Sequence, residues 1–558
     1  MPSPSPTFDS WLKRWFRWLL PLGVLVNLSG VASTIAEPDS ALYATLARHM
    51  AESGNFVDLI ANGGDWLDKP HFPFWVTAIS FRLLGLGDVA YRLPALLFWG
   101  LGVVYTYLLA RRLYDGTIAR VAVLLLLVAQ HLLLSNNDVR AEPFLLGLIT
   151  GSVYHYVRAQ ESRFSLHLVV GSLLAACAVM TKGLFVLLPV CGGLVVHWGV
   201  HRQWRELWQP RWWAALVLVG VFILPELYCL HHQFDLHPEK VVFGRTGVSG
   251  LRFFFWDSQF GRFTNTGPIQ GNKGHPLFFF HTVLWAFLPW SLWLYAAVLS
   301  RVFRRQPEPS EHREFITWGS AGLTFLLFSL SRFQLPHYVN IVFPFFSIIT
   351  ARWACRLERP GPVRVASGVQ TFVAGAMLLL GLGLLWFFRP PYAVPAAIGM
   401  VALGAVGLFL FSSGHLSDAI GRSFVASVAF NLMLNGVFYP AIARYQSGSE
   451  AASFINGLPP RPVGLYDFNS YALEFYTRAP VQRWDLSALQ RAASTQPVYV
   501  FLPEEAIESL QSQGLSVQTL RTFEQFPVTR LTGRFLNHTT RTEALRQLVV
   551  AEVRGPGS

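Results

Sequence analysis

The sequence predicts an all-α polytopic membrane protein of about thirteen transmembrane helices, followed by a small α/β domain at the C-terminal end. Hydrophobic residues make up 52% of the 558 residues and charged residues only 14%, whereas soluble domains contain roughly 25% charged residues. Long apolar stretches recur up to about residue 443, with short basic clusters between them. The chain also contains 19 Trp and 45 Phe residues, and such aromatic residues concentrate at membrane interfaces.

The net charge of +12 does not indicate a nucleic-acid partner, because the basic residues lie in short loops between apolar stretches. The four cysteines show no CxxC spacing, so we infer neither a disulfide framework nor a zinc site. The first apolar stretch lacks a small-residue cleavage site, which predicts an uncleaved signal-anchor.

A transmembrane helix needs about 20 largely apolar residues. The candidate spans lie near residues 16–35, 89–110, 117–135, 141–158, 165–181, 183–200, 212–230, 277–300, 316–331, 337–351, 364–388, 394–412 and 423–443.

The distribution of basic residues predicts the orientation of these spans, because cytoplasmic loops carry an excess of Lys and Arg. With the N-terminus inside, every second loop is basic, and the arginines concerned are Arg111, Arg112, Arg158, Arg163, Arg202, Arg205, Arg211, Arg301, Arg304, Arg305, Arg313, Arg352, Arg356, Arg359, Arg364 and Arg422. We therefore expect loops 36–76 and 231–276, and everything after about residue 445, on the outer face.

The chain divides by composition into residues 1–445, the transmembrane domain with the outer loops, and residues 446–558, a soluble outer-face domain. Within the latter, Val463–Tyr466 and Val498–Leu502 are typical of short strands, and Glu504–Gln513 of a helix. Because the charged clusters all precede it, we expect this domain to support or gate a cavity without supplying a catalytic group.

Two outer-face segments follow the first span. Asp39 precedes a plausible amphipathic helix, so it fits an N-cap as well as a functional carboxylate. Asp68 and Lys69 lie in a turn bounded by Pro70, where they form either a weak surface ion pair or a phosphate or metal site.

The remaining outer-face charges lie at the ends of later spans. Asp138, Arg140 and Glu142 fall within five residues at the start of the fourth span, which is more charge than capping needs. Lys182 is in a short turn and either snorkels to the interface or belongs to a site. Arg262, His275, Arg332, His337 and Tyr338 lie at the outer ends of spans eight to ten.

Together these residues predict one outer-face cavity with acidic groups (Asp39, Glu142, Asp138) and cationic groups (Lys69, Arg262). Such a pairing suits chemistry on a phosphate-linked substrate. Cations stabilise the charge of a departing phosphate, and a carboxylate can take the proton from an attacking hydroxyl.

The motifs resemble those of membrane-embedded glycosyltransferases with the type-C fold, the group of lipid A aminoarabinose transferases and their protein O-mannosyltransferase relatives. Family members carry Pro-Asp-Glu-x-x-Tyr, Glu-Lys-Pro-Pro, Leu-Thr-Lys-Gly-Pro, a loop ending Arg-Phe before Leu-Pro-Trp, and Ser-Lys-x-Lys-Leu-Pro-x-Tyr. The similar segments here are Pro38–Tyr43, Asp68–His71, Met180–Gly183, Arg262-Phe263 before Leu288–Trp290, and Ser331–Tyr338.

The resemblance implies a role for each matching residue. Asp39 is similar to the catalytic Asp, with Glu142 and Asp138 as further acidic residues of the site. Asp68 matches a carboxylate that binds a divalent metal in some members, and no other cofactor is implied. The expected substrate-binding residues are Lys69, Arg262, Tyr338, Tyr43, Lys182 and His337.

The family also implies a polyprenyl-phosphate (undecaprenyl-phosphate) sugar donor, an envelope acceptor that is a lipid, glycan or protein, and a place in the bacterial inner membrane. Three residues depart from its motifs: Ser40 replaces a Glu, Leu42 an Arg and Gln334 a Lys. These departures leave the specific lipid A assignment open.

Two other classes compete with an enzyme. A transporter or flippase for the same lipid would also carry charges among its spans, but its binding site would lie near the midplane between inverted repeats, which the sequence does not show. A non-catalytic envelope assembly factor would leave the clustered Asp39, Lys69 and Arg262 without a purpose. We expect Asp39 to act as general base in a dry cleft, in an inverting transfer.

Overall fold

The computed structural model describes residues 6–61, 63–160, 165–271, 274–303 and 314–555. Four residues of the predicted basic loops, Arg163, Arg304, Arg305 and Arg313, lie outside the described residues. The α-helices up to residue 443 are α1 (Pro6–Leu28), α2 (Asp39–Ser53), α3 (Phe72–Leu84), α4 (Asp88–Leu113), α5 (Gly116–Leu127), α6 (Gln130–Asn137), α7 (Glu142–Ala159), α8 (Leu166–Lys182), α9 (Leu187–Val200), α10 (Pro210–Phe222), α11 (Leu224–Leu230), α12 (Gly250–Arg252), α13 (Arg262–Thr264), α14 (Phe278–Ala286), α15 (Ser291–Phe303), α16 (Ile316–Leu330), α17 (Phe343–Cys355), α18 (Pro360–Phe388), α19 (Ala393–Leu410), α20 (Leu416–Met433) and α21 (Tyr439–Ala443).

Helices of other geometry extend several of these elements. Wider π-helical turns follow α11 at His231–Asp235, α12 at Phe253–Gly261 and α20 at Leu434–Phe438. A 3₁₀ helix at Pro336–Val342 leads into α17. The loop after α2 contains a two-stranded antiparallel ribbon of β1 (Ile60–Ala61) and β2 (Gly64–Asp65).

The mostly helical, apolar character of the transmembrane part is confirmed. Among the described residues, six helical runs are long and apolar enough to cross a membrane, and α5 with α6 makes a seventh if the bent pair counts as one span. Of the shorter apolar helices of 10–17 residues, α8, α15, α16 and residues 184–200 coincide with most of the other predicted spans, whereas α3 coincides with none. The total of about thirteen spans stays a prediction.

Two predicted spans are broken, and the breaks lie against each other. Span 117–135 bends by 55° between α5 and α6, and span 277–300 is interrupted at Pro289, which lacks a backbone donor. The Gln130 amide donates to the Leu288 carbonyl oxygen at 3.0 Å, and the Trp290 indole donates to the Leu125 carbonyl oxygen at 2.9 Å. Broken helices are tolerated at membrane depth when neighbouring elements satisfy the freed backbone groups in this way.

The bend matters for the site because the bent helix α6 ends at Asn137, directly before the predicted site residue Asp138.

Two helices near the first predicted site residues differ in how well the sequence predicts them. The helix predicted after Asp39 is present as α2, while α3, an apolar helix of only 13 residues, was not predicted because it is too short for a simple span.

The C-terminal region forms the small α/β unit that the sequence predicts. Its elements are α22 (Ser447–Ile455), β3 (Val463–Leu465), α23 (Tyr471–Tyr476), β4 (Val481–Arg483), α24 (Leu486–Thr495), β5 (Val498–Pro503), α25 (Ala506–Ser512), β6 (Ser516–Gln525), α26 (Gly533–Leu536) and β7 (Arg546–Arg554). The five strands form one sheet in the order β4-β3-β5-β7-β6, with β3 parallel to β4 and β5 and β7 antiparallel to β5 and β6.

Helices cover both faces of this sheet. Side chains of α24 and α25, such as Leu489 and Leu510, pack with Val500 on one face, while those of α22 and α23, such as Ile455 and Leu473, pack with Phe501 on the other. The α23 side also contacts α2 of the transmembrane part, so this domain touches the helix that begins with Asp39.

Candidate active site

An apolar cavity with a charged rim lies among residues 67–70, the end of α8, α11, the π-helical turn 253–261 and residues 327–341. It encloses about 890 Å³, including its open mouth. Aromatic and aliphatic side chains form most of its wall, including Phe253, Phe254, Phe263, Phe328, Phe333, Leu327 and Ile341. The ionisable residues that line it are Asp68, Lys69, Lys182, Glu226, Arg262 and Tyr338. Five of these six were predicted as site residues from the sequence.

Asp68 lies between two cations at this rim. Its carboxylate pairs with the Lys69 ammonium at 2.7 Å and with the Arg262 guanidinium. Burial alone would raise the pKa of Asp68, but these two cations hold it below its usual range. Burial, together with the positive charge of Arg262, lowers the pKa of Lys69 to about 8. One carboxylate against two cations leaves this cluster with one excess positive charge when Lys69 is protonated.

The surroundings of Asp68 do not fit a divalent cation. Each carboxylate oxygen already faces a cationic side chain, and in the part of the chain that the structure describes no three His, Cys, Asp or Glu side chains converge as a metal site. A hard cation such as Mg²⁺ or Ca²⁺ needs several oxygen ligands. The metal role that the resemblance implies for Asp68 stays a prediction, and no step of the chemistry is assigned to a metal.

A second buried cluster joins α7 to α8. Glu142, whose side chain is only 1% exposed, pairs with the Lys182 ammonium, and His337 Nε2 lies 3.8 Å from the same carboxylate. The Lys182 ammonium also lies 4.1 Å from the centre of the Tyr338 ring, a cation–π contact. Lys182 therefore does not snorkel to the interface; it neutralises Glu142 at the wall of the cavity.

Gly183 directly after Lys182 allows this turn. Its φ of +90° lies in the region that only glycine adopts without strain, and a Cβ at this position would collide with the Gln259 side chain. The Thr-Lys-Gly sequence thus has a local physical reason: glycine ends α8 and lets Gln259 close over the turn.

The third cluster, which we call the acidic ledge, consists of Asp39, Asp138, Arg140 and Ser40. Arg140 pairs with Asp39 at 2.8 Å and with Asp138 at 3.1 Å. The Ser40 hydroxyl donates to the other oxygen of Asp138 at 2.5 Å. Both Asp138 oxygens are thus engaged, so in this structure Asp138 orients Arg140 and the start of α2.

Asp39 differs from the sequence-based expectation in two respects. Its side chain is 43% exposed, so it does not lie in a dry cleft in this structure. It is also not an N-cap: α2 begins at Asp39 itself, the cap residue is Pro38, and no side chain caps the helix. With two carboxylates against Arg140, the acidic ledge carries one excess negative charge.

Tyr43 lies one turn after Asp39 in α2. Its ring contacts Trp66 and Phe74 edge-on, with centroids 6.2 and 5.4 Å away, and these two residues flank the Asp68–His71 turn on either side. The electrostatic influence of both Asp68 and Asp39 reaches the Tyr43 hydroxyl. The positive cluster and the acidic ledge are therefore near the same aromatic side chain.

Glu226 also lines the cavity, although the sequence patterns did not predict it as a site residue. Both oxygens of Glu226 bind His71, one the backbone amide at 2.9 Å and the other Nδ1 at 3.1 Å, and both side chains are fully buried. His71 Nε2 contacts the Val57 carbonyl oxygen at 2.9 Å. These bonds fix the Asp68–His71 turn onto α11, and the signal was available as a carboxylate inside an apolar span.

Two departures from the family motifs have a structural explanation. Ser40 holds Asp138, as described above. Gln334 donates to the carbonyl oxygens of Phe328 and Ser329 at 3.1 and 3.2 Å and accepts from the His275 amide at 2.9 Å. Gln334 thus fixes the loop before α14 to the end of α16, and it does not line the cavity.

Comparisons with known proteins find relatives of similar sequence. Residues 68–228 match the dolichyl-phosphate-mannose-protein mannosyltransferase family. The chain is 26% identical over 410 residues to the undecaprenyl phosphate-alpha-4-amino-4-deoxy-L-arabinose arabinosyl transferase of Edwardsiella ictaluri, covering 70% of this chain and 69% of that protein. An uncharacterized protein of Aquifex aeolicus is 24% identical over 473 residues, covering 83% and 85%.

The fold also matches a solved structure over nearly its whole length. The crystal structure of ArnT from Cupriavidus metallidurans bound to undecaprenyl phosphate superposes with a TM-score of 0.76 at 21% identity, covering 96% of this chain and 98% of that one. Its apo state gives 0.75 at 22%. The chain therefore has the fold of ArnT, and its similarity to the arabinosyl transferases and to the mannosyltransferase family indicates a glycosyltransferase. It is an enzyme and a multi-pass protein of the inner membrane. The transporter and assembly-factor hypotheses are therefore not favoured.

Proposed function

We propose that this glycosyltransferase moves a sugar from a polyprenyl-phosphate donor to a hydroxyl of an envelope lipid, glycan or protein at the outer leaflet. The observation that carries the proposal is the charge arrangement. A cluster with an excess positive charge (Asp68, Lys69, Arg262) opens into an apolar cavity, and a ledge with an excess negative charge lies beside it.

The cavity suits both ends of such a donor. Its phenylalanine-rich wall matches an isoprenoid chain, since apolar surface is buried favourably against apolar surface. Lys69 and Arg262 supply charge-assisted donors for the phosphate. The names of the relatives support the same donor class: the arabinosyl transferases are named for an undecaprenyl-phosphate sugar, and ArnT was crystallised with undecaprenyl phosphate.

In the proposed reaction an acceptor hydroxyl attacks the anomeric carbon in a single displacement. A new bond forms between the acceptor oxygen and that carbon, while the bond from the carbon to the phosphate oxygen breaks. The acceptor proton passes to Asp39, acting as general base. The electron pair leaves with polyprenyl phosphate, whose charge Lys69 and Arg262 stabilise.

In this proposal Arg140 orients the Asp39 carboxylate. The 2.8 Å ion pair holds the exposed carboxylate at the edge of the ledge. A donor and acceptor bound over the ledge would exclude water from Asp39.

A covalent sugar–enzyme intermediate is disfavoured by the surroundings of Glu142. Retaining glycosidases place a second carboxylate about 5–5.5 Å from the first as nucleophile. Glu142 is the candidate here, but its side chain is 1% exposed and is paired with Lys182. We therefore propose inversion at the anomeric carbon, which NMR of the product would test: retained configuration would contradict a single displacement.

The experiment that tests the function uses purified protein in liposomes with a radiolabelled polyprenyl-phosphate sugar and an envelope extract as acceptor. We expect release of polyprenyl phosphate together with labelled acceptor. Movement of intact donor across the bilayer without release would indicate a transporter instead. Release that depends on added acceptor, and is lost in Asp39→Asn, would distinguish transfer from simple hydrolysis.

A further inference from the structure

Helix α23 of the C-terminal domain lies alongside α2 and contacts it near both ends. At the beginning of α2, the Glu37 carboxylate accepts hydrogen bonds from the Ser470 hydroxyl and the Ala472 backbone amide, both at 2.7 Å. Glu37 is half-buried in this contact, and desolvation raises the pKa of its carboxyl above the usual range. Both donors to this carboxylate come from the C-terminal domain.

Further along α2, Arg48 makes the second contact. Its guanidinium Nη1 donates to three carbonyl oxygens at the end of α23: Glu474 at 2.9 Å, Phe475 at 2.9 Å and Thr477 at 2.8 Å. Arg48 is only 9% exposed, so this bond network is largely shielded from water. His49 adds a contact to the Glu474 carboxylate at 3.2 Å.

The backbone before α2 is also held from the C-terminal side. The Gln446 side chain accepts from the Glu37 amide at 2.7 Å and donates to the Ile35 carbonyl oxygen at 2.7 Å. The Tyr476 hydroxyl accepts from the Ile35 amide at 2.8 Å. Residues 35–37 are thus bonded on one side much as a strand is bonded to its neighbour.

The opposite side of the same segment is anchored in the transmembrane part. Arg92, which is 1% exposed, donates to the carbonyl oxygens of Val31, Ser33 and Thr34 at 3.2, 2.5 and 3.3 Å and to that of Asn137 at 2.9 Å. Ser40 binds Asp138 as described above. Asp39 therefore lies in a short segment held by the membrane helices on one side and by the C-terminal domain on the other.

We infer that the C-terminal domain positions the proposed base: Glu37, through its bonds to that domain, and Gln446 of that domain, through its bonds to residues 35 and 37, are positioning residues that hold Asp39 over the donor. The inference rests on the proposed function and extends it by giving the C-terminal domain a defined part in the transfer. Neither residue touches the donor cavity. Loss of the contact therefore affects the chemical step and leaves donor binding intact.

The test compares Glu37→Ala, Glu37→Gln and Ser470→Ala in the full-length protein. Misplacing a reacting group by about 1 Å costs up to roughly 100-fold in rate, so we expect Glu37→Ala to lower kcat by roughly 10- to 100-fold. Its affinity for undecaprenyl phosphate alone should stay within about twofold. Glu37→Gln keeps an oxygen that can accept both hydrogen bonds, so it should recover most of the rate.

Coupling between the two partners supplies a readout that a general loss of stability would not give. Because Ser470 acts through Glu37, the double variant Glu37→Ala/Ser470→Ala should be little slower than Glu37→Ala alone. Arg491→Ala, an exposed change on α24 of the same domain, is the matched control and should retain wild-type kcat.

The outcomes are distinguishable. A folded Glu37→Ala protein with wild-type kcat, or one that loses donor affinity in parallel with rate, overturns the inference while leaving the proposed function standing. If Glu37→Ala does not fold, Ser470→Ala decides by the same two measurements. A wild-type protein that releases no polyprenyl phosphate refutes the proposed function itself, and this inference with it.

Discussion

Replacing Lys69 by alanine removes one of the two cations that face the proposed donor phosphate. The Lys69 side chain is 17% exposed and bonded to Asp68 at 2.7 Å, so its charge acts in a mostly buried site. The change turns the excess charge of the Asp68–Lys69–Arg262 cluster from one positive to zero, because Asp68 is then balanced by Arg262 alone.

The size of the effect follows from the kind of bond that is lost. A hydrogen bond to a charged group contributes about 1.5–3 kcal/mol, and about 1.4 kcal/mol corresponds to a tenfold change in affinity. We therefore expect Lys69→Ala to weaken binding of polyprenyl phosphate by roughly 10- to 100-fold. The rate should fall as well, because the same cation stabilises the leaving phosphate.

The pH dependence gives an independent check with a defined sign. Lys69 has a pKa of about 8 in the free enzyme, so below pH 8 it is protonated and attracts phosphate, and above pH 8 it loses its charge. Donor affinity should fall as pH rises from 7 to 9. Lys69→Arg stays charged throughout this range and should abolish the fall.

Isothermal titration of the detergent-solubilised protein with undecaprenyl phosphate measures both effects. The Arg491→Ala variant serves as the control for handling and folding. Lys69→Ala with wild-type affinity, or an equal loss of affinity between pH 7 and 9 in wild type and Lys69→Arg, would refute the assignment of Lys69 to the donor phosphate.

Three further predictions concern stability, metal and topology. Glu142→Gln leaves Lys182 buried without its counter-charge, and breaking such a pair costs about 3–5 kcal/mol; a clear drop in the thermal unfolding midpoint is expected, and an unchanged midpoint would show that the pair is not structural. Removing divalent cations with EDTA should leave turnover unchanged, because Asp68 is already bonded to two cations; a loss that Mg²⁺ or Mn²⁺ restores would establish a metal requirement. Reporter fusions after Arg112 and Arg364 should report cytoplasm and one after Tyr445 the outer face; a cytoplasmic signal after Tyr445 would overturn the predicted orientation.

Much of the fold followed from the sequence, for identifiable physical reasons. Apolar stretches bounded by arginines mark helices in a membrane, and the strand Val498–Pro503 with its β-branched and aromatic residues was recognisable within an otherwise polar tail. The sequence did not predict where the transmembrane helices are interrupted. The break between α5 and α6 depends on Gln130 bonding to Leu288, which is 158 residues away in sequence, and no local pattern reveals such a contact.

The site was predictable in composition but not in pairing. Lys69, Arg262, Lys182 and Tyr338 do line one cavity, because functional charges near lipid are rare and therefore conspicuous. The exposure of Asp39 and its ion pair with Arg140 were not predictable, since they depend on how α6 ends against α2. The roles of the site residues in catalysis and donor binding stay predictions.

The most direct measurement of the central claim compares Asp39→Asn with wild type in two assays on the same preparation. One measures turnover of a labelled polyprenyl-phosphate sugar, and the other measures the affinity for undecaprenyl phosphate. Loss of a general base lowers the rate by roughly 10²-fold or more, while the proposal assigns the donor phosphate to Lys69 and Arg262 and not to Asp39. A drop in kcat of at least about 100-fold at unchanged affinity is the predicted result, and near-normal turnover by Asp39→Asn would contradict it.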